Sequence, residues 1–189
     1  MGIFNRKPKS EKAPVTGKDS GDVIGNWLRN DDQDKDGFMQ REFERGKKLM
    51  ESNDMDIVHQ GYDIIGPIAA MGYIPAKLQM GHFCEDVKGD AAQAARWFKS
   101  AADLGSPEGC RCYADMLMTG TGVETNMRQA FEYYEKAAVG GIPEAMFVMG
   151  EYCRNNGLRD KSIDWYTKSY QSGYEPAQIR IQQMKSGKR

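Results

Sequence analysis

The sequence of 189 residues predicts an all-α protein, a superhelical solenoid of stacked helix–turn–helix repeats. A segment of similar length recurs along the chain, and chains with such a period form solenoids. Paired aromatic residues keep the same register inside this repeat. No stretch alternates apolar and polar residues in the way a half-buried strand would.

The repeat is marked by four glycines, each followed four positions later by a small residue. The segments are GYIPA, GSPEG, GIPEA and GYEPA, which begin at Gly72, Gly105, Gly141 and Gly173. Successive glycines are 33, 36 and 32 residues apart. A unit of this length holds two short helices and their turns. We number each unit from its small residue, position 0, which is Ala76, Gly109, Ala145 or Ala177.

Residues around each glycine predict where the helices end and begin. Eight and seven residues before the last three glycines stand the aromatic pairs Trp97-Phe98, Tyr133-Tyr134 and Trp165-Tyr166, and Ile64-Ile65 precedes the first. Each glycine is expected to end the second helix of a unit as a left-handed cap. The proline at 75, 107, 143 or 176 then opens the next helix in its first turn.

The segment PEGCRCYADMLMTGTGVETNMRQAFEYYEKAAVGGIPEA resembles a Sel-one-like repeat (SLR), a relative of the tetratricopeptide repeat. The matching features are the small Gly109, the loop 120–123, Gln129-Ala130, Tyr133-Tyr134 and the stretch 136–138. The units beginning at Ala76 and Ala145 match less completely, so the resemblance covers about residues 75–173. It implies a right-handed superhelix of helix pairs that serves as an adaptor or scaffold for other proteins, usually without catalysis.

Four segments are expected along the chain. Residues 1–21 form a flexible basic tail, because they lack the apolar periodicity of a folded element. Residues 22–74 hold N-terminal helices, including a short one with Trp27 and Leu28, one from about Phe38 to Met50, and a degenerate first repeat. Residues 75–174 are three repeats, and residues 175–189 form a C-terminal capping helix and tail.

Charge and hydropathy exclude several classes of partner. The formal net charge is −1, which argues against a nucleic-acid-binding surface. No apolar segment follows the positive charges of the N-terminus, and the apolar run 64–76 is broken by Gly66, Pro67 and Gly72. We therefore expect a soluble cytoplasmic protein with neither nucleic acid nor membrane as a partner.

The stretch NDDQDKDGFMQREF, residues 30–43, resembles a calcium loop. Asp32, Asp34, Asp36 and Gly37 fit loop positions 1, 3, 5 and 6 of an EF-hand. The bidentate glutamate is required at position 12, but Glu42 stands at position 11. The favoured interpretation is a solvated turn in which Asp36 caps the following helix. The alternative is a calcium-responsive module that binds the ion weakly through Asp32, Asp34 and Asp36; otherwise no cofactor is expected.

No catalytic or zinc-binding constellation is visible in the sequence. The four cysteines lack zinc-finger spacing, and Cys84 and Cys153 share position +8 with Leu117 of the intervening unit. We interpret them as buried packing residues. His59 and His82 have no nucleophile and orienting acid near them, and TGTGV lacks the lysine of a phosphate-binding loop. An enzyme is therefore not expected.

The partner is expected to be another protein or a peptide, bound on the concave face formed by the first helix of each unit. Positions 0, +4, +7 and +8 are apolar or small and should form the core, whereas positions +2 and +6 lie opposite them. Phe147 is expected to be an exposed aromatic contact on this otherwise polar surface. The predicted contact residues are Leu78, His82, Arg111, Asp115, Phe147, Glu151, Ile179 and Gln183.

Overall fold

The computed structural model describes Gly25 and residues 34–186, and residues 34–186 contain nine α-helices and no strand. The chain divides into two compact units, residues 1–64 and 65–189, which are described separately. The predicted tail 1–21 and the residues Trp27 and Leu28 lie outside the described part. The helices are α1 (Lys35–Met50), α2 (Met55–Ala70), α3 (Ile74–Asp86), α4 (Ala91–Asp103), α5 (Pro107–Thr119), α6 (Met127–Val139), α7 (Pro143–Asn155), α8 (Arg159–Gln171) and α9 (Pro176–Lys185).

In the first unit, α1 begins three residues earlier than predicted, and its cap is Asp34, not Asp36. The Asp34 carboxylate accepts a hydrogen bond of 2.9 Å from the backbone N–H of Gly37. Asp36 instead lies in the first turn of the helix. A Cβ atom on Gly37 would lie 1.9 Å from Asp34 Oδ2, so a larger residue at this position would require the Asp34 side chain to move. The aspartate-rich stretch therefore starts a helix at Lys35.

The second unit is a stack of helix pairs in which each helix from α3 to α9 packs on the next one along the chain. Gly72, Gly105, Gly141 and Gly173 have φ between 86° and 102°, as predicted for left-handed caps. At each cap the following N–H bonds back across the turn, for example Ser106 N–H to the carbonyl of Ala101 at 3.0 Å. Pro107, Pro143 and Pro176 open α5, α7 and α9.

The core follows the predicted register with two exceptions, Tyr152 at position +7 of α7 and Lys185 at position +8 of α9. Ala76, Ala145 and Ala177 at position 0 are fully buried. Position +7 is buried in α3, α5 and α9, but Tyr152 of α7 is 39% exposed and its ring lies 4.3 Å from that of Phe131. A tyrosine at the rim of the core keeps its hydroxyl in water while its ring packs.

Position +5 is small in α3, α5 and α7 because the second aromatic residue of the same unit packs against it. A Cβ atom on Gly81 would lie 2.4 Å from the Phe98 ring, and one on Gly150 would lie 2.6 Å from the Tyr166 ring. Ala114 occupies the same position in α5 and is fully buried. This contact brings the two helices of each pair close together.

Helix α9 differs from the earlier first helices at positions +1, +5 and +8. Where α5 and α7 bury apolar or small side chains, α9 exposes Gln178, Gln182 and Lys185. Its buried residues, Ala177 and Met184, pack with Tyr166 of α8. We call these three residues, with the partly buried side chains around them, the last core cluster. A polar outer surface of this kind is typical of a terminal helix in a repeat array.

Candidate functional site

The predicted contact residues all lie on one surface of the second unit. We call it the first-helix face and define it as positions −1, +2, +3, +6 and +9 of α3, α5, α7 and α9. These positions span about 120° of each helix. Several side chains on this face are not simply solvated, because they bond to the second helix of their own unit.

The residue at position +6 contacts the second aromatic residue of its own unit in all three helix pairs. The His82 and Phe98 rings meet edge to face with centroids 5.0 Å apart. Where the aromatic residue is a tyrosine, position +6 is a carboxylate: the Tyr134 hydroxyl donates to Asp115. The Tyr166 hydroxyl likewise donates to Glu151, over 2.7 Å. Position +6 therefore joins the two helices of each pair at the first-helix face.

Arg111 is held between two carboxylates of its own helix. Its Nη1 donates to Asp115 over 2.8 Å, and its Nε donates to Glu108 over 3.2 Å. Because Tyr134 also donates to Asp115, the guanidinium is fixed to both α5 and α6. Burial raises the pKa of the Tyr134 hydroxyl, and its bond to Asp115 raises it further. Tyr134 therefore remains a neutral donor at physiological pH.

Glu151 is the centre of a second charge cluster. Besides the Tyr166 hydroxyl, it accepts from Arg154 of its own helix over 2.6 Å and from Arg180 of α9 over 2.7 Å. Gln183 accepts from Arg180 over 3.0 Å and so helps to orient it. This cluster joins α7, α8 and α9 on the first-helix face.

Phe147 is not the exposed aromatic contact that the sequence predicts. It is partly buried in the last core cluster, with its ring centroid 5.4 Å from that of Tyr166 and 5.2 Å from that of Tyr174. The prediction was wrong because Tyr174, in the turn before α9, covers a position that helical periodicity alone leaves open. Leu78 is likewise partly buried against the neighbouring core.

Ile179 is the apolar residue of the predicted set that is open to solvent. It is 59% exposed on α9, at the position that corresponds to Phe147 on α7. Gln183 is exposed one turn further along the same helix. The apolar part of the first-helix face is thus carried by α9.

A pocket of about 280 Å³ opens on the first-helix face between α3 and α5. It brings together His82 and Arg111 with Asp115, three residues that the sequence analysis selected. The pocket is lined by His82, Glu85, Phe98, Arg111, Cys112, Asp115, Met116, Thr119 and Thr121. The hydroxyls of Thr119 and Thr121 lie 2.8 Å apart at its edge. Six of the nine lining residues are polar, and the other three, Phe98, Cys112 and Met116, are buried and form the floor.

Sequence analysis missed several residues of this face. Glu85 and Glu108 lie one helical turn from the selected positions, and neither stands at +2 or +6. The sequence identifies Tyr134 and Tyr166 only as members of the repeated aromatic pairs. The correspondence between a carboxylate at +6 and a tyrosine in the aromatic pair was present in the sequence and could have identified these bonds.

The residues of the calcium hypothesis do not form an EF-hand loop in the described part of the chain. Asp32 lies outside the described residues. Asp34 is the helix cap, and Asp36 and Gly37 are already helical, with no positive φ at Gly37 to make the sharp turn that such a loop requires. No group of three metal-ligating side chains is assembled anywhere in the described residues.

All four cysteine side chains are buried and unpaired by disulfide bonds. Burial raises the pKa of each thiol, and for Cys112 it raises it to about 12. Because a thiolate is the reactive form, these thiols are unreactive at neutral pH. Their positions, including Cys84 and Cys153 at +8, are those of packing residues.

The two charge clusters predict how stability depends on pH. Hydrogen bonds from Arg111 lower the pKa of the Glu108 carboxyl. Burial alone would raise the pKa of Glu151, but hydrogen bonds from Tyr166 and Arg154 outweigh it and lower this pKa. A lowered pKa in the folded state gives stability that is present above the unfolded pKa of about 4.3 and is lost as the pH falls through the folded value.

We therefore expect the double variant Glu108→Gln, Glu151→Gln to be less stable than the parent at pH 7 and to lose less stability on acidification. Urea unfolding midpoints measured between pH 7 and about pH 3 test this expectation. Glu135→Gln, which removes an exposed carboxylate from α6, is the control. An acid dependence identical to that of the parent would show that the two clusters contribute nothing to stability.

Helix pairs in this register, with left-handed glycine caps and paired aromatic residues, define an α-solenoid of the SLR class. A model of the Sel1 repeat family matches residues 74–106, 107–141 and 143–174. These matches cover more than half of the chain, so the protein belongs to the Sel1 repeat family. They coincide closely with the three repeats predicted from the sequence. Sel1 repeat proteins generally mediate protein–protein interactions and are typically non-catalytic.

Solved structures agree with this assignment. A protective antigen of uropathogenic Escherichia coli that displays an SLR fold superposes with a TM-score of 0.65 at 24% identity, covering 74% of this chain and 32% of the other. A Sel1 repeat protein from Oxalobacter formigenes superposes with a TM-score of 0.55 at 28% identity, covering 62% of this chain and 94% of the other. The first similarity concerns the fold alone.

Two curated relatives are much longer than this chain. An uncharacterised protein of Neisseria meningitidis serogroup B is 31% identical over 109 residues, which are 56% of this chain and 23% of the relative. Chitin synthase regulatory factor 4 of Schizosaccharomyces pombe is 26% identical over 118 residues, which are 60% of this chain and 19% of the relative. This chain thus spans about a fifth of the length of either one. None of the described helices has the length and apolar composition needed to cross a membrane.

Proposed function

We propose that the protein is a non-enzymatic interaction module that binds a segment of another protein along the first-helix face of its solenoid. The observation that carries the proposal is the pocket between α3 and α5, where His82, Arg111 and Asp115 converge. Polar groups already fixed by intramolecular bonds can meet a partner without losing further side-chain entropy.

The arrangement of the rest of this face supports the proposal. Arg111 is held by Glu108 and Asp115 of its own helix and Glu151 by Tyr166 of α8, while Ile179 exposes apolar surface on α9. A face that combines a pocket with charged groups and, further along, an exposed apolar side chain has the mixed polar and apolar surface of non-obligate interfaces. The general role of Sel1 repeat proteins, and the regulatory role stated in the name of the Schizosaccharomyces pombe relative, are consistent with it.

Site-directed photocrosslinking tests the proposal in cells that express the protein. A benzophenone amino acid is placed at Ile179 on the first-helix face and, as the matched control, at Val139, which is 77% exposed at the end of α6. We expect a discrete crosslinked product from position 179 and none from position 139. Both sites are exposed, so accessibility alone cannot produce this difference.

The partner surface would have to be reassigned if position 139 gave the product and position 179 did not. Absence of any product from position 179, and from a further probe at Gln183, would contradict binding on the first-helix face. Circular dichroism of each probe-bearing protein confirms that the fold is retained.

A further inference from the structure

The first-helix face carries more negative than positive charges. In the described part of the chain its positions carry five carboxylates and three cations, and every cation is already paired. Arg111 pairs with Glu108 and Asp115, while Arg154 and Arg180 both pair with Glu151. The remaining carboxylates, Glu85 and Glu144, have no hydrogen bond or ion pair with any described residue. The face therefore has uncompensated negative charge and no free cation.

One of these unpaired carboxylates lies in the pocket between α3 and α5. Glu85 is exposed at the end of α3 and lines the same cavity as Asp115 of α5. The Asp115 side chain is 47% exposed even though it accepts bonds from Arg111 and Tyr134, so part of its carboxylate remains open. The two carboxylates stand on different helices, and the His82 ring and the Thr119 hydroxyl line the same pocket.

An anion is a poor occupant for this pocket. Its single cation, Arg111, has its Nε and both Nη groups bonded to Glu108, Asp115 and Cys112. A carboxylate or phosphate entering the pocket would have to displace these bonds and would approach Glu85 without compensation. A cation also meets Arg111, but Glu108 and Asp115 already neutralise that charge, and the cation gains an ion pair with Glu85.

We propose that this pocket receives a basic side chain, arginine or lysine, from the segment of the partner protein that lies on the first-helix face. The inference rests on the proposed function and specifies the chemistry of the partner at one point. Glu85 supplies the unpaired negative charge, and Asp115 and the threonine hydroxyls accept hydrogen bonds from the guanidinium or ammonium group. The existing Arg111 pair holds Asp115 in place and keeps the lining rigid.

The test uses three short glycine–serine peptides, blocked at both ends, that differ only in two central residues: a pair of arginines, of glutamines or of glutamates. Titration is followed by NMR through the amide resonances of His82, Thr119 and Thr121 in the full chain. We expect saturable shifts of these resonances with the arginine peptide alone. Exposed ion pairs contribute up to about 1 kcal/mol, so Glu85→Gln should weaken this binding by about three- to fivefold.

Matched controls separate the pocket from the general charge of the protein. Glu135→Gln removes the same charge from α6 and is expected to leave the affinity unchanged. Raising the salt concentration should weaken the binding of the arginine peptide, because screening acts on exposed pairs. Neither Glu85 nor Glu135 has a hydrogen bond or ion pair with a described residue, so neither substitution is expected to disturb the fold.

Each contrary outcome has a distinct meaning. Equal shifts with the glutamine peptide would overturn the assignment of a basic side chain while retaining peptide binding on this face. Shifts with the glutamate peptide alone would show that the pocket selects anions. Shifts with none of the three peptides, or the same loss of affinity in Glu85→Gln and Glu135→Gln, would also overturn the proposal. Failure of the crosslinking at position 179 would contradict the proposed function, whereas the peptide titration tests the chemistry of the pocket.

Discussion

Replacement of Phe147 by glutamate is expected to destabilise the protein, with a cost of about 3 kcal/mol. The substitution removes ring contacts with Tyr166 and Tyr174 and places a carboxylate at the edge of the last core cluster, beside Glu151. Thermal unfolding followed by circular dichroism should show a decrease in Tm of roughly 10 °C. The last helix pair and α9 should lose structure first, since repeats depend on their neighbours.

The matched control is Ile179→Glu, which also introduces a glutamate at position +2, one unit further along. Ile179 is 59% exposed and belongs to no core cluster, so its Tm should stay within about 2 °C of the parent value. Equal Tm values for the two variants would show that Phe147 is a surface residue, as helical periodicity alone suggested. The pair also decides which variant is suitable for binding studies, because only Ile179→Glu is expected to keep the fold.

Replacement of Gly150 by leucine is expected to have the largest effect on folding. A Cβ atom at this position would already lie 2.6 Å from the Tyr166 ring, and Tyr166 has no room to move because it is fully buried. Its hydroxyl is also bonded to Glu151. Overpacking of a core commonly costs 1–3 kcal/mol, and we expect at least about 3 kcal/mol here because a whole ring must be displaced.

A graded series tests this steric explanation. Gly150→Ala should already destabilise the protein, because its Cβ atom is the one that meets the Tyr166 ring, and Gly150→Val and Gly150→Leu should be progressively less stable in urea. Glu135→Leu on the exposed side of α6 is the control for added apolar surface. If Gly150→Leu unfolded at the same urea concentration as Glu135→Leu, the close packing of α7 on Tyr166 would be refuted.

Much of the fold could be predicted from the sequence because the solenoid is built from local contacts. The glycine caps, the proline starts and the buried small residues at position 0 depend on residues within one unit, and the same pattern recurs in the next. Helix starts were harder to predict. Asp34 and Asp36 both have the side chain of a cap, and only the backbone conformation shows that the helix begins at Lys35 with Asp34 as its cap.

The candidate site was less accessible to sequence reasoning. Helical periodicity placed His82, Arg111 and Asp115 on one face, and the structure brings them into a common pocket. Periodicity could not show that Tyr174 would cover Phe147, since the turn before α9 is not part of the helix that carries it. Nor could it show that Glu85, nearly two helical turns beyond Leu78, would line the same cavity as Asp115.

The sequence by itself determined the class of fold, the register of the repeats and the side of each first helix that faces away from the core. These properties follow from spacing within a unit of about 35 residues, which any stack of helix pairs must satisfy. Only the tertiary structure decided which side chains on that face are free. Arg111 and Glu151 are satisfied by groups from other turns and helices, while Glu85 and Ile179 are left open. Availability for a partner depends on contacts between helices, and those contacts exist only once the units are stacked.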